Sequence, residues 1–149
     1  ASGKLVIPST IEGKTVTSIG EGTFWFCTSL TSITIADSVT SVGGGAFMNC
    51  TNLKTITIPD SVTSIEKMAF YECKSLTSIT IGNSVTSIGD MAFNGCTNLT
   101  AVTFLGDAPK TIQDKVFKDS VPTIYRKPEA KGWGDTWGGR PVKLISDNP

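Results

Sequence analysis

The chain of 149 residues contains no histidine. It also contains no G-x-S-x-G motif, no phosphate-binding glycine loop and no pair of acidic residues placed as a catalytic cleft requires. Histidine is the commonest catalytic base and metal ligand near neutral pH, so its absence removes many classes of enzyme. We therefore expect no catalysis and no cofactor.

Net charge and long apolar runs are also missing. The 13 acidic residues balance the 13 basic ones, so no global electrostatic field attracts nucleic acid or an anionic membrane. No stretch approaches the roughly 20 apolar residues that cross a bilayer. We expect a monomer that neither binds nucleic acid nor inserts into a membrane. Because the sequence begins with Ala1, we expect that a targeting segment has already been removed.

The cysteines lack the C-x-x-C spacing of zinc sites. There are four of them, and they are 23 residues apart: Cys27, Cys50, Cys73 and Cys96. Free cysteine packs as a small apolar side chain and is among the most buried residue types. We therefore expect a ladder of four reduced, buried thiols, although a secreted location is an argument for disulfide bonds instead.

The sequence does contain a repeated phrase of 23 residues. "SVTSIGDMAFNGCTNLT" from Ser84 is a near copy of the phrases that start at Ser61 and Ser38, and a looser copy starts at Thr15. Seven apolar columns recur in all four copies, and in the first copy they are Val16, Ile19, Phe24, Cys27, Leu30, Ile33 and Ile35. One repeat of this size cannot bury seven such side chains, so the pattern predicts a solenoid of stacked repeats.

Each repeat contains strand and turn signals. "LTSITI" at Leu30 follows the L-x-x-L-x-L pattern of leucine-rich repeats and ends in the alternation of a strand, with Ile33 and Ile35 inward. "VTSIG" predicts a second, shorter strand. "AFMNC" at Ala46 spaces its apolar residues by three, which predicts one turn of 3₁₀ or α helix.

The repeats resemble the BspA-like leucine-rich repeat family of bacterial surface proteins. The resemblance is carried by "IPDSVTSIEKMAFYECKSLTSITI" and its copies, and by the opening "LVIPSTIEGKTVTSIGEGTF". It implies a right-handed, β-rich leucine-rich repeat solenoid with one main strand and a short helical turn per repeat. It also implies a secreted or cell-surface location, a role in adhesion or recognition, and no active site.

The chain is expected to form one leucine-rich repeat domain, residues 1–149. Within it we predict an opening partial repeat (1–15), four repeats (16–104), and a degenerate repeat with a C-terminal cap (105–149). In the last segment Phe117 and Ser120 fall where the repeat has phenylalanine and cysteine. End coils of a solenoid need a more polar cover, and Tyr125, Trp133 and Trp137 are candidates for it.

Two surfaces are candidate binding sites. The strand face consists of the outward hydroxyl side chains of the main strands, interrupted by Ala101: Ser32, Thr34, Thr55, Thr57, Ser78, Thr80 and Thr103. The aromatic stripe consists of the residues between the inward phenylalanine and cysteine: Trp25, Met48 and Tyr71, with Asn94 in the fourth copy. The plainer interpretations are that hydroxyl residues suit exposed strand positions and that the stripe covers the edge of the stack.

From these features we expect an extracellular or cell-surface protein-interaction module, adhesin-like by resemblance, whose partner is a protein or a glycan. Two alternatives remain open. The domain can be a passive structural spacer of a larger surface protein, or its strand face can bind ice or carbohydrate. Only Thr55 and Thr57 form a true T-x-T row, so the ice-binding pattern is degenerate.

Overall fold

The computed structural model describes residues 3–112 and 115–148. Five residues lie outside the described ones: Ala1 and Ser2 of the predicted opening repeat, Gln113 and Asp114 of the predicted degenerate repeat, and Pro149. The chain winds into a β-solenoid of about five coils with a spacing of about 23 residues, as the repeat pattern predicts. No helix among the described residues is long and apolar enough to span a membrane.

Within residues 3–112 and 115–148, fifteen short strands build the coils. They are β1 (Lys4–Ile7), β2 (Thr10–Ile11), β3 (Lys14–Thr15), β4 (Ser18–Ile19), β5 (Ser32–Ile35), β6 (Ser41–Val42), β7 (Thr55–Ile58), β8 (Ser64–Ile65), β9 (Ser78–Ile81), β10 (Ser87–Ile88), β11 (Ala101–Phe104), β12 (Thr111–Ile112), β13 (Thr123–Arg126), β14 (Thr136–Trp137) and β15 (Arg140–Leu144). A 3₁₀ turn, Ile145–Asp147, follows β15.

Two sheets run along the solenoid. The main sheet has the order β1-β5-β7-β9-β11-β13-β15-β14, and all its pairings are parallel except that of β14 with β15. The second sheet has the parallel order β12-β10-β8-β6-β4, while β2 and β3 form a separate hairpin. The predicted main strand and the shorter strand of "VTSIG" are therefore both confirmed.

Equivalent side chains stack in register through the core. In the main sheet Ile56 lies opposite Ile79, and Ile79 opposite Val102. The inward phenylalanines form a stack with centroid separations of 5.3–5.7 Å: Phe24, Phe47, Phe70, Phe93 and Phe117. Offset aromatic contacts of this kind add to the free energy gained from burial. The seven predicted columns are buried in the middle coils.

The predicted helical turn is wrong in detail. In the turn segment of each coil, defined in the first coil as residues 20–27, alternate amides point in different directions. One set donates to carbonyls three residues back: Thr23 to Gly20, Trp25 to Gly22 and Cys27 to Phe24. The other set donates to carbonyls of the next coil: Gly22 to Gly44, Phe24 to Ala46 and Phe26 to Met48.

This alternation requires a left-handed backbone at two positions per coil, because a continuous helix directs every amide along its own axis. Gly22 and Phe26 have φ angles of 64° and 59° in the first coil, and Gly45 and Asn49 have 63° and 60° in the second. The turn segment is therefore a third ladder of hydrogen bonds between coils.

Phe26 is a poor residue for a left-handed position, which a β-carbon disfavours by about 1–2 kcal/mol and which asparagine tolerates. Phe26→Asn is therefore expected to raise the free energy of unfolding by about 1 kcal/mol in urea titrations. The reciprocal change, Asn49→Phe, is expected to lower it by at least as much. If Phe26→Asn lowers the free energy of unfolding instead, backbone strain at this position is smaller than the contribution of the phenylalanine side chain.

The two ends of the solenoid differ. At the start, Leu5, Val16, Phe24 and Cys27 are only partly buried, although their equivalents in the middle coils are covered. At the other end β13, β15 and β14 continue the main sheet, and β12 continues the second sheet. Trp137 packs against Phe104 and Phe117 with ring centroids 5.0 and 5.8 Å apart. We propose that residues 105–149 act as the cap of the solenoid.

Candidate ligand-binding face

Strand alternation and parallel register position the predicted strand face. In β5, β7, β9 and β11 every second side chain turns away from the core, so Ser32 lies opposite Thr55 and Thr80 lies opposite Thr103. Thr34, Thr55 and Thr57 are exposed, while Ser32, Ser78, Thr80 and Thr103 are half-buried. The structure thus brings the seven predicted hydroxyl side chains together on one outward surface.

The hydroxyl groups of the strand face are chemically available. None of these seven side chains forms a hydrogen bond with another described residue. Threonines at the corners of the coils behave differently, because their hydroxyls donate to a carbonyl of the preceding coil: Thr40 to Thr17, Thr63 to Thr40, Thr86 to Thr63, Thr77 to Lys54 and Thr100 to Thr77. Corner threonines hold adjacent coils together, whereas those of the strand face are left for solvent or a ligand.

Part of the strand face is concave. The register between β5 and β7 covers two residue pairs, against four between β7 and β9. At this place lies a depression of about 560 Å³, and four of the predicted residues line it: Ser32, Thr34, Thr55 and Thr57. Ser78, Thr80 and Thr103 lie outside it. A volume of this size is within the range of small-ligand and side-chain pockets.

Sequence reasoning missed four residues of the depression: Asp37, Pro59, Asp60 and Leu105. The two aspartates lie two residues after the ends of β5 and β7, in "IAD" and "IPD", so the repeat pattern carried a signal for them. Asp60 is partly engaged, since its Oδ1 accepts a hydrogen bond of 2.7 Å from the amide of Asn83. Leu105 lies in the aperiodic part of the chain, where no repeated position indicates which way its side chain turns.

The outward column that contains Thr80 and Thr103 has larger side chains on either side of its threonines. Val6 of β1 lies opposite Thr34 and is 66% exposed. Tyr125 of β13 lies opposite Thr103 and is buried. Tyr125, which the sequence suggested as part of the end cover, is therefore in the same column as the strand face.

The aromatic stripe is narrower than the sequence suggested. Trp25 is 56% exposed, Met48 and Tyr71 are half-buried, and Asn94 is buried. Phe26, which the sequence reasoning passed over, is 57% exposed, and its ring lies 5.2 Å from that of Trp25. The exposed aromatic surface of the repeats is thus concentrated in the first coil rather than spread along the stack.

The structure places the cysteines in one column of the core. Cys50, Cys73 and Cys96 are buried, and each thiol lies 3.1 Å from the phenylalanine carbonyl to which it donates in the preceding coil. Ser120 continues the column, with its Oγ 2.6 Å from the carbonyl of Phe93. Cys27, in the first coil, is only partly buried. That the four thiols are reduced in solution stays a prediction.

Burial controls the acidity of these thiols. It raises the pKa of Cys50 to about 11 and that of Cys96 to about 12, and it raises the pKa of Cys73 well above its ordinary value. Such thiols are neutral at physiological pH and are poor nucleophiles and metal ligands. No group of three or more acidic or cysteine residues within 3–112 and 115–148 is arranged to hold a metal ion.

Comparison with known proteins gives a consistent family. The model of the BspA type leucine-rich repeat region matches residues 4–123 in six copies. A leucine-rich repeat protein of T. pallidum shares 31% identity at a TM-score of 0.76, over 82% of this chain and 57% of that protein. A leucine-rich repeat protein from Bacteroides capillosus shares 33% identity at a TM-score of 0.64, over 70% of this chain and 78% of that protein.

The fold is also similar to that of the pneumococcal vaccine antigen PcpA, with 21% identity and a TM-score of 0.65. This match covers 87% of the chain and 35% of PcpA. The chain thus spans little more than half of the T. pallidum protein and about a third of PcpA. A comparison with curated protein sequences found no significant match.

Proposed function

The chain belongs to the BspA type leucine-rich repeat family, and we propose that it is a recognition module that binds a protein or glycan partner through its strand face. The observation that carries this proposal is the difference between the two sets of threonines. Corner hydroxyls are used within the solenoid, whereas the hydroxyls of the strand face have no partner among the described residues.

The depression between β5 and β7 is the proposed centre of the contact. Thr34 and Thr57 offer donors and acceptors there, and Asp37 and Asp60 add acceptors and negative charge. A surface of short hydroxyl groups makes many weak hydrogen bonds and offers few large anchors, so we expect modest affinity. A partner with hydroxyl, amide or cationic groups suits this surface best.

A cell-surface or secreted location and an adhesin-like role form part of the proposal. Family membership supports them. The strand face offers hydroxyl groups and its depression adds two carboxylates, but neither has a histidine or a buried titratable side chain that could act as a general base. We therefore propose binding without catalysis. The competing interpretation is a passive spacer, which has no specific partner on any surface.

The test is a binding screen of the purified chain on immobilised matrix proteins and glycans, followed by two double variants. Thr34→Lys with Thr57→Lys places bulk and positive charge in the depression and is expected to weaken capture at least tenfold, which corresponds to about 1.4 kcal/mol. Trp25→Ala with Tyr71→Ala removes the aromatic stripe and is expected to leave capture unchanged.

The opposite pattern of losses would move the site to the aromatic stripe. Retained capture in both double variants would exclude both surfaces. If the unmodified chain captures nothing in the screen, the spacer interpretation is favoured. Thermal unfolding of each variant is the control, because Thr34, Thr57 and Trp25 are exposed and their substitution is expected to preserve the fold.

A further inference from the structure

The main-chain hydrogen bonds that join one turn segment to the next all run from an amide to a carbonyl of the following coil. Amides at alternate positions of each coil donate to main-chain carbonyls of the following coil, as Phe47 does to Ala69 and Asn49 to Tyr71, both at 2.8 Å. The same pattern reaches the last turn segment, where Val116 accepts from Phe93 at 3.0 Å and Lys118 accepts from Gly95 at 2.8 Å. Every turn segment before the last therefore donates to a neighbour on its C-terminal side.

The last turn segment, residues 115–119, has no such neighbour within the described chain. The amides that occupy the donating positions belong to Lys115, Phe117 and Asp119, and no described residue accepts a hydrogen bond from them. Trp137 packs against the ring of Phe117 but supplies no carbonyl to its amide. Three main-chain donors, two residues apart, are thus aligned along one edge.

These donors border a cleft of about 680 Å³. One wall is the last turn segment, and the other is the β14–β15 hairpin turn at Gly138, Gly139 and Arg140. The guanidinium of Arg140 attaches this wall to the solenoid, since its Nε donates to the carbonyl of Pro122 at 2.8 Å and its Nη2 to that of Val121 at 3.2 Å. The two walls leave a channel rather than a flat end.

The cleft is basic. Lys115, Lys118 and Arg140 contribute three positive charges to its lining, against one negative charge from Asp119. This charge differs from that of the repeats, since residues 16–104 hold six acidic and three basic residues. Unpaired amides and cationic side chains both favour a ligand that is negatively charged and rich in acceptor oxygens.

We propose that this C-terminal cleft binds an extended acidic peptide segment. The main chain of such a peptide carries carbonyls at regular spacing, and the amides of the preceding turn segments donate to main-chain carbonyls of this kind. A single small anion cannot reach three donors that are spread over five residues. Acidic side chains on the peptide pair with Lys115, Lys118 and Arg140. This site is separate from the strand face, so either proposal can fail without the other.

The test uses ¹⁵N-labelled chain and hexaglutamate as the probe. The amide resonances of Lys115, Phe117 and Asp119 are expected to shift in a saturable way, because each amide gains a charge-assisted or main-chain acceptor. Lys118→Glu is expected to weaken binding at least tenfold. Lys54→Glu makes the same charge change at an exposed position of the repeats and is expected to leave the affinity unchanged.

Four results would overturn the proposal. The first is the absence of shifts at these amides in hexaglutamate. The second is an equal response to inorganic sulfate or to a heparin hexasaccharide at the same charge concentration, since either response identifies a simple anion site or a glycan site. The third is a shift that depends on the concentration of the chain alone, which identifies a second copy as the occupant. Binding that Lys54→Glu weakens as much as Lys118→Glu also contradicts a local site.

Discussion

Trp137→Ala is expected to lower the free energy of unfolding by about 3–5 kcal/mol, the range for removal of a large buried aromatic side chain. Trp137 is 8% exposed and contacts the last members of two core columns, Phe104 and Phe117. It also lies 6.0 Å from Trp133, whose Nε1 donates to the carbonyl of Gly106. Alanine leaves both columns open to water at the end of the stack.

The measurement is urea unfolding followed by circular dichroism. Trp25→Ala is the matched control, because the same atoms are removed from a side chain that is 56% exposed, and its effect is expected to stay below about 1 kcal/mol. Loss of a cap is also expected to broaden the transition, since repeat proteins unfold from their ends. Equal effects of the two variants would show that residues 105–149 are an appended segment rather than a cap.

The core of this fold could be predicted from the sequence because its period is long and regular. A side chain that recurs every 23 residues must stack on its own copies, so the repetition alone identified Phe47, Phe70 and Phe93 as one column. The strand face followed from the same register, since alternate residues of "SITI" turn outward. Ser120 was also placed correctly, because its distance from Cys96 is close to one repeat.

The turn segment could not be predicted in the same way. Apolar residues three apart fit a helical turn, but the choice between helix and ladder depends on where alternate amides donate. Those acceptors lie about 22 residues away in the next coil, so the conformational preferences of the local sequence cannot reveal them. The left-handed φ of Phe26, Met68 and Met91 is imposed by these long-range bonds against the preference of the residues.

Each candidate site includes a residue from the segment where the periodicity stops. Leu105 completes the depression on the strand face, and Arg140 forms a wall of the C-terminal cleft. Both residues belong to the aperiodic segment, so the repeat could not indicate which way their side chains turn. The unpaired amides of the last turn segment are likewise a property of the end of the stack rather than of any residue type.

The protein is expected to lose stability steeply above about pH 9. An unfolded thiol has a pKa of about 8.5, whereas burial raises the pKa of Cys50 to about 11 and that of Cys96 to about 12 and raises that of Cys73 as well. Above pH 8.5 the unfolded chain releases these protons while the folded chain keeps them. The free energy of unfolding therefore falls as pH rises, by up to about 1.4 kcal/mol per pH unit for each thiol.

The contributions of the three buried thiols add, so the free energy of unfolding is expected to fall continuously between about pH 9 and about pH 11. Urea titrations at fixed pH values from 7 to 11 measure this slope. Replacing Cys50, Cys73 and Cys96 with serine removes the titrating groups, and Ser120 shows that the column accepts a hydroxyl that donates to the preceding coil. A triple alanine variant serves if the serine variant fails to fold.

The difference in slope between these variants and the unmodified chain belongs to the thiols. Titration with a thiol reagent checks the premise. In the unfolded chain four thiols are expected to react with the reagent without added reductant. In the folded chain Cys27 is expected to react first, because it alone among the four is only partly buried. An alkaline slope that is unchanged by removal of the three cysteines would mean that the column tolerates thiolates. Water must then reach the centre of the stack, because the charged form of a thiol is stable there only when it is solvated.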